Sequence, residues 1–199
     1  KGSFTIAVLP DTQNYSEKFP ENFVAQTKWI AENAKDRSIA AVLHLGDITN
    51  RNTPAEWENS VRAMDLLNEK IPYAMVPGNH DLDRDKLSIG GSKLLEFIRA
   101  GGPAEYEKVI ANENDRATLF SRFEDYGRFC IGYNCGLDEE AKYATNLRIE
   151  VGRDRWIRFI RLNSSLLCHG EERDDQPELV MGERQFVIPR HAGEENVVL

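Results

Sequence analysis

The fold is decided by three short segments that share one pattern: FTIAVLPD at residues 4–11, AAVLHLGD at residues 40–47 and YAMVPGNHD at residues 73–81. Each is a mostly apolar run that ends at a proline or glycine and is followed by polar residues. Apolar runs of this length are typical of strands buried in a parallel sheet. The pattern therefore predicts three buried strands that carry polar side chains at their carboxyl ends.

Helical patterns separate the three predicted strands. Within residues 20–35, apolar or small side chains recur at helical spacing, at Phe23, Thr27, Ile30 and Ala34. A capping box with proline at the first helical position, Thr53-Pro54-Ala55-Glu56, predicts the start of a second helix. Its apolar face contains Trp57, Val61, Met64 and Leu67. The βαβαβ order predicts an α/β fold with a parallel-rich sheet flanked by helices.

Residues 82–128 differ from the segments on either side. Helical patches alternate there with Gly90-Gly91 and with Gly101-Gly102-Pro103. Such residues indicate breaks between helices. We interpret the whole segment as an insertion or cap over one end of the sheet.

The last third of the chain predicts further strands. Residues 146–151 and 156–163 flank a turn at residues 152–155 and indicate a β-hairpin. Residues 196–199 are typical of the opening of another buried strand. A chain of 199 residues fits one domain, residues 1–199. We expect a β-sandwich core that is incomplete at the carboxyl end and a domain that continues past residue 199.

The charge balance limits the partners of the chain. Its 33 acidic and 25 basic residues give a net charge of −8. Binding to a nucleic-acid backbone needs a cationic footprint, so that partner is not expected. A small phosphorylated substrate or a phosphoprotein is compatible, because bound metal ions reverse the local field. No apolar run reaches the ~18 residues of a membrane span. No signal peptide is recognisable, but the chain starts at Lys1, which leaves a removed leader open. The compartment and the oligomeric state are also left open by the sequence.

The polar clusters after the strands are expected to meet at one edge of the sheet. Asp11 and Asp47 are 36 residues apart, and Asp47 and Asn79 are 32 apart, each about one βαβ unit. Ligands bind outside the carboxyl ends of parallel strands. Carboxylate, amide and imidazole groups are suitable ligands for manganese, iron or zinc, and they do not indicate a purely thiophilic metal site. Gly46 and Gly78 allow sharp turns before these residues. Together the clusters predict a site that shares metal ions.

In this order the clusters resemble the motifs of the calcineurin-like metallophosphoesterases, which are D-x-H, G-D, G-N-H-[DE] and later histidine motifs ending in G-H-x-H. The resemblance covers residues 4–81 and, more weakly, 159–164. It implies the family's fold and the hydrolysis of phosphate esters, as a phosphatase or a phosphodiesterase. It also implies two divalent metal ions, manganese, iron or zinc. The implied metal ligands are Asp11, Gln13, Asp47, which bridges both metals, and Asn79.

The resemblance also implies roles for residues beside the metals. His80 matches the histidine that stabilises the transferring phosphoryl group or protonates the leaving oxygen. Asp81 is expected to orient His80. Asn79 and Arg51 are expected to contact the substrate phosphate. Arg51 follows Asp47 by four residues, a spacing similar to that of an arginine in the related serine/threonine phosphatases, and the alternative is an exposed loop arginine.

Two departures from the family pattern keep other functions open. Gln13 stands where the family usually has histidine, and the later histidine motifs are absent, so we expect them after residue 199. We interpret His44 as a satisfied core residue and His169 and His191 as solvated. One alternative is a degenerate, non-catalytic binding or regulatory module. The other is an α/β domain in which the clusters are ordinary turns.

Overall fold

Helices and strands alternate along the chain in the computed structural model, which describes residues 3–133, 144–168, 182–186, 188 and 190–199. The first half contains β1 (Thr5–Leu9), α1 (Gln13–Lys18), α2 (Pro20–Asn33), β2 (Ile39–His44), α3 (Pro54–Met64) and β3 (Tyr73–Met75). The second half contains α4 (Ile89–Gly101), α5 (Pro103–Ala111), α6 (Glu113–Phe120), α7 (Glu124–Ile131), β4 (Ala144–Gly152), β5 (Arg155–Leu162) and β6 (Glu194–Val198).

The first three strands form a parallel sheet in the order β1-β2-β3, as the sequence predicts. Leu9 is opposite His44, and His44 is opposite Met75, so the three strands end at one level. In a parallel sheet the loops that follow the strands leave from the same edge. The α/β class and the flanking helices are therefore confirmed.

Helix α3 begins at the predicted capping box. Thr53 Oγ1 accepts the amide proton of Glu56, and Glu56 Oε2 accepts the amide proton of Thr53, both at 3.4 Å. The same carboxylate accepts the amides of Asn50 and Arg51, at 3.2 and 2.8 Å. Glu56 thereby anchors the loop after β2 to the helix. The core that α2 and α3 build against the sheet includes Phe23, Ile30, Val42, Trp57, Met64 and Met75.

Helix α1 is not predicted by the sequence, because its six residues show no apolar period. Contacts distant in sequence hold it in place. Ser16 is buried, and its Oγ donates to Ile48 O at 2.5 Å and lies 3.0 Å from Ser60 Oγ. Gln13 therefore lies at the start of a helix and not in an open turn.

A second sheet contains the predicted hairpin. β4 and β5 pair antiparallel, which confirms the hairpin, and β6 pairs parallel to β5. The two sheets pack face to face through a shared cluster that includes Ala41, Leu43, Ala74, Ile157 and Phe159. The strand predicted at residues 196–199 is present, but its predicted burial is wrong. Val198 is 47% exposed, because β6 follows β5 at the edge of this sheet.

Helices α4 to α6 build a separate apolar cluster with the turn after β5, and its members include Leu95, Ile98, Tyr106, Leu119 and Leu166. Helix α7 instead packs on the main core, where Phe129 lies 4.9 Å from the ring of Trp57. The break predicted at Gly90-Gly91 is wrong, because both lie in the first turn of α4, which Ser88 caps. The break at Gly102 is confirmed. No helix in the described ranges is long and apolar enough to cross a membrane.

Candidate functional site

Three loops meet at the carboxyl edge of the parallel sheet, one after each of β1, β2 and β3. Thr12 N donates to Asp47 O at 3.1 Å, which joins the first loop to the second. His80 N donates to Asp47 Oδ1 at 3.0 Å, which joins the third loop to the second. The structure thus brings Asp11, Asp47 and His80 to one edge, in the arrangement that the strand spacing predicts.

Asp47 has a backbone conformation that is uncommon for a residue with a side chain. Its φ is 48°, and that of the preceding Gly46 is 94°. A Cβ atom on Gly78 would lie 2.0 Å from Asp47 Oδ1 and 2.3 Å from Asp47 N. Glycine is therefore required at position 78 for the second and third loops to touch. Backbone strain of this kind is concentrated at functional sites, where the surroundings impose it.

The electrostatics of the edge centre on the half-buried Asp47. Burial raises the pKa of its carboxyl, and the negative charge of Asp11 raises it further. The amide and ring of His80 and the guanidinium of Arg84 act in the opposite direction on this pKa. A cation between Asp11 and Asp47 would relieve the repulsion of the two carboxylates.

Gln13 presents a buried carbonyl oxygen beside Asp11. Asp11 Oδ1 accepts the Gln13 amide proton, and Asp11 Oδ2 accepts from Gln13 Nε2, both at 2.8 Å. Gln13 Oε1 is buried and has no hydrogen-bond partner in the described part of the chain. An unsatisfied buried acceptor costs about 1–3 kcal/mol. A metal ion is one group that would satisfy it.

The ring of His80 is oriented by a backbone carbonyl. His80 Nδ1 lies 2.7 Å from Asn50 O. Because a carbonyl oxygen can only accept, Nδ1 carries the proton in this contact, and the lone pair of the neutral ring is at Nε2. His80 can therefore accept a proton at Nε2, and once the ring is doubly protonated it can deliver that proton from the same atom.

The predicted orientation of His80 by Asp81 is wrong. The buried Asp81 carboxylate instead accepts four hydrogen bonds at 2.8–3.0 Å, from Ile48 N, Thr49 N, Thr49 Oγ1 and Gly78 N. Burial raises the pKa of Asp81 to about 7, and the backbone amides that it accepts oppose this rise. The Asp81 carboxylate is not free to orient His80, because it is fully buried and the backbone amides around it need acceptors. It fixes the loop that carries Asp47.

The predicted phosphate contacts lie in different surroundings. The Arg51 side chain is 72% exposed, and its Nε lies 3.4 Å from Glu17 Oε1. Asn79 is half-buried and lines a cavity of about 490 Å³ at the carboxyl edge. The other lining residues include Leu45, Asp47, Ser164, Ser165, Cys168 and Leu199. Asn79 and Asp47 therefore face a space that could hold a ligand, whereas Arg51 faces solvent and Glu17.

His44 connects the first two loops from inside the core, in agreement with its interpretation as a satisfied core residue. Gly46 N donates to His44 Nδ1 at 3.3 Å, so Nε2 carries the ring proton and donates to Thr12 Oγ1 at 3.0 Å. Thr12 Oγ1 donates onward to Ile48 O at 3.3 Å. Burial lowers the pKa of His44 to about 3, so the ring is neutral. His191 is exposed, and His169 lies outside the described residues.

The donor set fits divalent metal ions, although it differs from a site built of acids and histidines. No group of three or more His, Cys, Asp or Glu side chains that could hold a metal occurs among the residues described. The candidate set combines two carboxylates, Asp11 and Asp47, with the amide oxygens of Gln13 and Asn79. Carboxylate and amide oxygens are good ligands for hard divalent cations. The unpartnered Gln13 oxygen is the observation that favours a cation here.

Sequence reasoning missed one charged residue at this edge. Arg84 is half-buried, and its Nε donates to Asn79 O at 3.0 Å. The only sequence signal is its position three residues after Asp81, which by itself does not separate it from an ordinary loop arginine. The tertiary position of its side chain is what connects it to the site.

Comparisons with known proteins agree with these motifs. A family model described as calcineurin-like phosphoesterase matches residues 4–195. In Bacillus subtilis (strain 168), the Uncharacterized protein YvnB is 31% identical over 134 residues. That match covers 60% of this chain and 10% of YvnB, so the chain spans only about a tenth of the length of this relative.

Proposed function

The chain belongs to the calcineurin-like phosphoesterase family, and on this premise we propose that it hydrolyses phosphate esters at a dinuclear metal site. Membership supports metal-dependent hydrolysis of phosphoesters in general. The finer proposal is that manganese, iron or zinc ions are held by Asp11, Gln13, Asp47 and Asn79. The substrate is a small phosphorylated molecule or a phosphoprotein, as a monoester or a diester.

The observation that carries the proposal is the buried Gln13 Oε1 atom without a partner. Gln13 Nε2 donates to Asp11 Oδ2, and this hydrogen bond helps to set the position of Gln13 Oε1. The same edge holds Asp47 in a strained conformation. An unsatisfied buried acceptor beside the Asp11 carboxylate is unfavourable, and coordination of a cation would offset the cost of burying it.

Each residue of the edge has a role in the proposed reaction. Divalent cations, when bound, supply Lewis-acid stabilisation of charge on the phosphoryl oxygens. His80, whose Nδ1–H bonds to Asn50 O, would first take up a proton at Nε2 and, as the doubly protonated ring, deliver that proton to the leaving alcohol oxygen. Asp81 keeps the Asp47 loop in place through its four accepted hydrogen bonds. Such preorganisation matters because small displacements of reacting groups lower the rate strongly.

The first experiment measures manganese-dependent hydrolysis of aryl phosphate mono- and diesters. Asp47→Asn is expected to lower kcat by about 100-fold or more, because it removes charge from both proposed metal positions. Asp36→Asn, which changes an exposed aspartate, is the matched control and is expected to keep full activity. Manganese binding by titration calorimetry accompanies each assay.

The two readouts separate the candidate functions. Full activity in Asp47→Asn would contradict the assignment of this residue. Manganese binding that Asp47→Asn abolishes, without hydrolysis of either ester, would favour a non-catalytic binding or regulatory module. Absence of both binding and hydrolysis in the unaltered chain would refute the proposed metal site.

A further inference from the structure

The loop between β3 and α4 presents a second arginine to the candidate site. Arg84 Nε donates to Asn79 O at 3.0 Å, which holds the guanidinium against one of the proposed metal-binding residues. The side chain is half-buried. Its charge is also close enough to Asp47 to act on that carboxyl. The hydrogen bond to Asn79 O thus places this cation at the carboxyl edge.

The backbone on either side of Arg84 is fixed. Asp83 N donates to Arg122 O at 2.9 Å, and Arg122 is fully buried. Asp83 Oδ1 accepts the amides of Asp85 and Lys86 at 3.1 and 3.0 Å, which forms a tight local turn. Arg84 is therefore held from a preorganised loop, and a side chain held in this way loses less conformational freedom when it binds a ligand.

We propose that Arg84 is the arginine that binds the substrate phosphate, an inference that rests on the proposed function. The edge already carries the carboxylates of Asp11 and Asp47, so a phosphate dianion needs positive charge from the protein as well as from metal ions. A guanidinium suits this task because its planar donors match two phosphoryl oxygens. The Arg51 side chain is 72% exposed, whereas that of Arg84 is half-buried at the carboxyl edge.

The test measures binding of inorganic phosphate by titration calorimetry, with and without manganese, in the unaltered chain and in variants. Arg84→Gln is expected to weaken phosphate binding about 10- to 100-fold, the usual range for one lost charge-assisted contact. Arg84→Lys keeps the charge but not the planar donors, so an intermediate loss of binding is expected. The KM for an aryl phosphate should rise in the same order.

Four further measurements separate phosphate binding from a merely structural role. Manganese affinity should be unchanged in Arg84→Gln, and the variant should melt as a folded protein. Arg62→Gln, which removes an exposed arginine paired with Glu21, is the matched control. Arg51→Gln tests the competing assignment and is expected to weaken phosphate binding less than Arg84→Gln.

Several results would overturn the inference. A loss of manganese affinity as large as the loss of phosphate affinity would show that Arg84 acts through Asn79. A larger effect in Arg51→Gln would return the phosphate contact to Arg51. Hydrolysis that is unaffected in Arg84→Gln would refute the inference and leave the proposed function standing. Failure of the unaltered chain to bind phosphate would also refute it, and the hydrolysis assay would then decide the proposed function separately.

Discussion

Protonation of His44 should destabilise the protein at mildly acidic pH. The buried ring accepts from Gly46 N at Nδ1 and donates to Thr12 Oγ1 from Nε2, so a second ring proton would point at the Gly46 amide proton. Burial lowers the pKa of this ring from 6.5 to about 3. The unfolded chain therefore binds a proton that the folded chain excludes. The contribution of the neutral His44 ring to the free energy of unfolding is fully present above pH 6.5 and is lost as the pH falls toward 3.

The magnitude follows from these two pKa values. Each pH unit between them costs about 1.4 kcal/mol of unfolding free energy. Between about pH 7.5 and pH 5 the loss from this one residue is about 2 kcal/mol. Because pH 5 lies well above the folded value, the result depends on the unfolded pKa and hardly on how low the folded one is.

Urea denaturation at several pH values measures this effect. His44→Gln retains a donor toward Thr12 but does not titrate. Between about pH 7.5 and pH 5 its unfolding free energy should therefore fall by about 2 kcal/mol less than that of the unaltered chain. His191→Gln removes an exposed histidine and is expected to keep the pH dependence of the unaltered chain. Parallel pH dependence in His44→Gln and the unaltered chain would refute the reasoning.

Three other changes test the loops, the buried cation and the helix cap. Gly78→Ala should destabilise the fold by about 2–3 kcal/mol and weaken manganese binding, because the new Cβ meets Asp47. Gly90→Ala is the control, since its Cβ has room in α4, and it should stabilise the fold by about 0.5–1 kcal/mol. Equal melting temperatures of the two variants would contradict this expectation. Arg122→Met should cost about 2–4 kcal/mol in urea denaturation, because it leaves buried carbonyls of the turn after β5 without their donor. Thr53→Ala should cost about 1 kcal/mol by the same assay, and no change would mean that the cap is dispensable.

Local patterns made much of the fold predictable. The three buried strands, the capping box at Thr53 and the hairpin each depend on residues close in sequence, so their period and turn chemistry indicate them directly. The convergence of Asp11, Asp47 and Asn79 follows from strand direction and spacing. The burial of His44 follows from its place inside an apolar run.

Features that depend on distant contacts were not predictable. α1 exists because Ser16 packs on Ile48 and Ser60, and no local pattern contains that information. The Asp81 carboxylate accepts hydrogen bonds from amides of a loop more than thirty residues away. Its position next to His80 in the sequence had instead suggested that it orients the His80 ring. Arg84 gains its place at the site from the direction of its side chain. In short polar loops the positions of such groups depend on tertiary packing. Tertiary packing leaves no periodic pattern in a single sequence.

The most direct test of the dinuclear metal site is anomalous diffraction from crystals of the chain grown with manganese. We expect two peaks about 3.5–4 Å apart, with Asp47 between them and Asp11, Gln13 Oε1 and Asn79 as ligands. Asp47→Asn crystals should lose at least one peak. Manganese bound elsewhere, or no peak at this edge at saturating manganese, would contradict the proposed metal site.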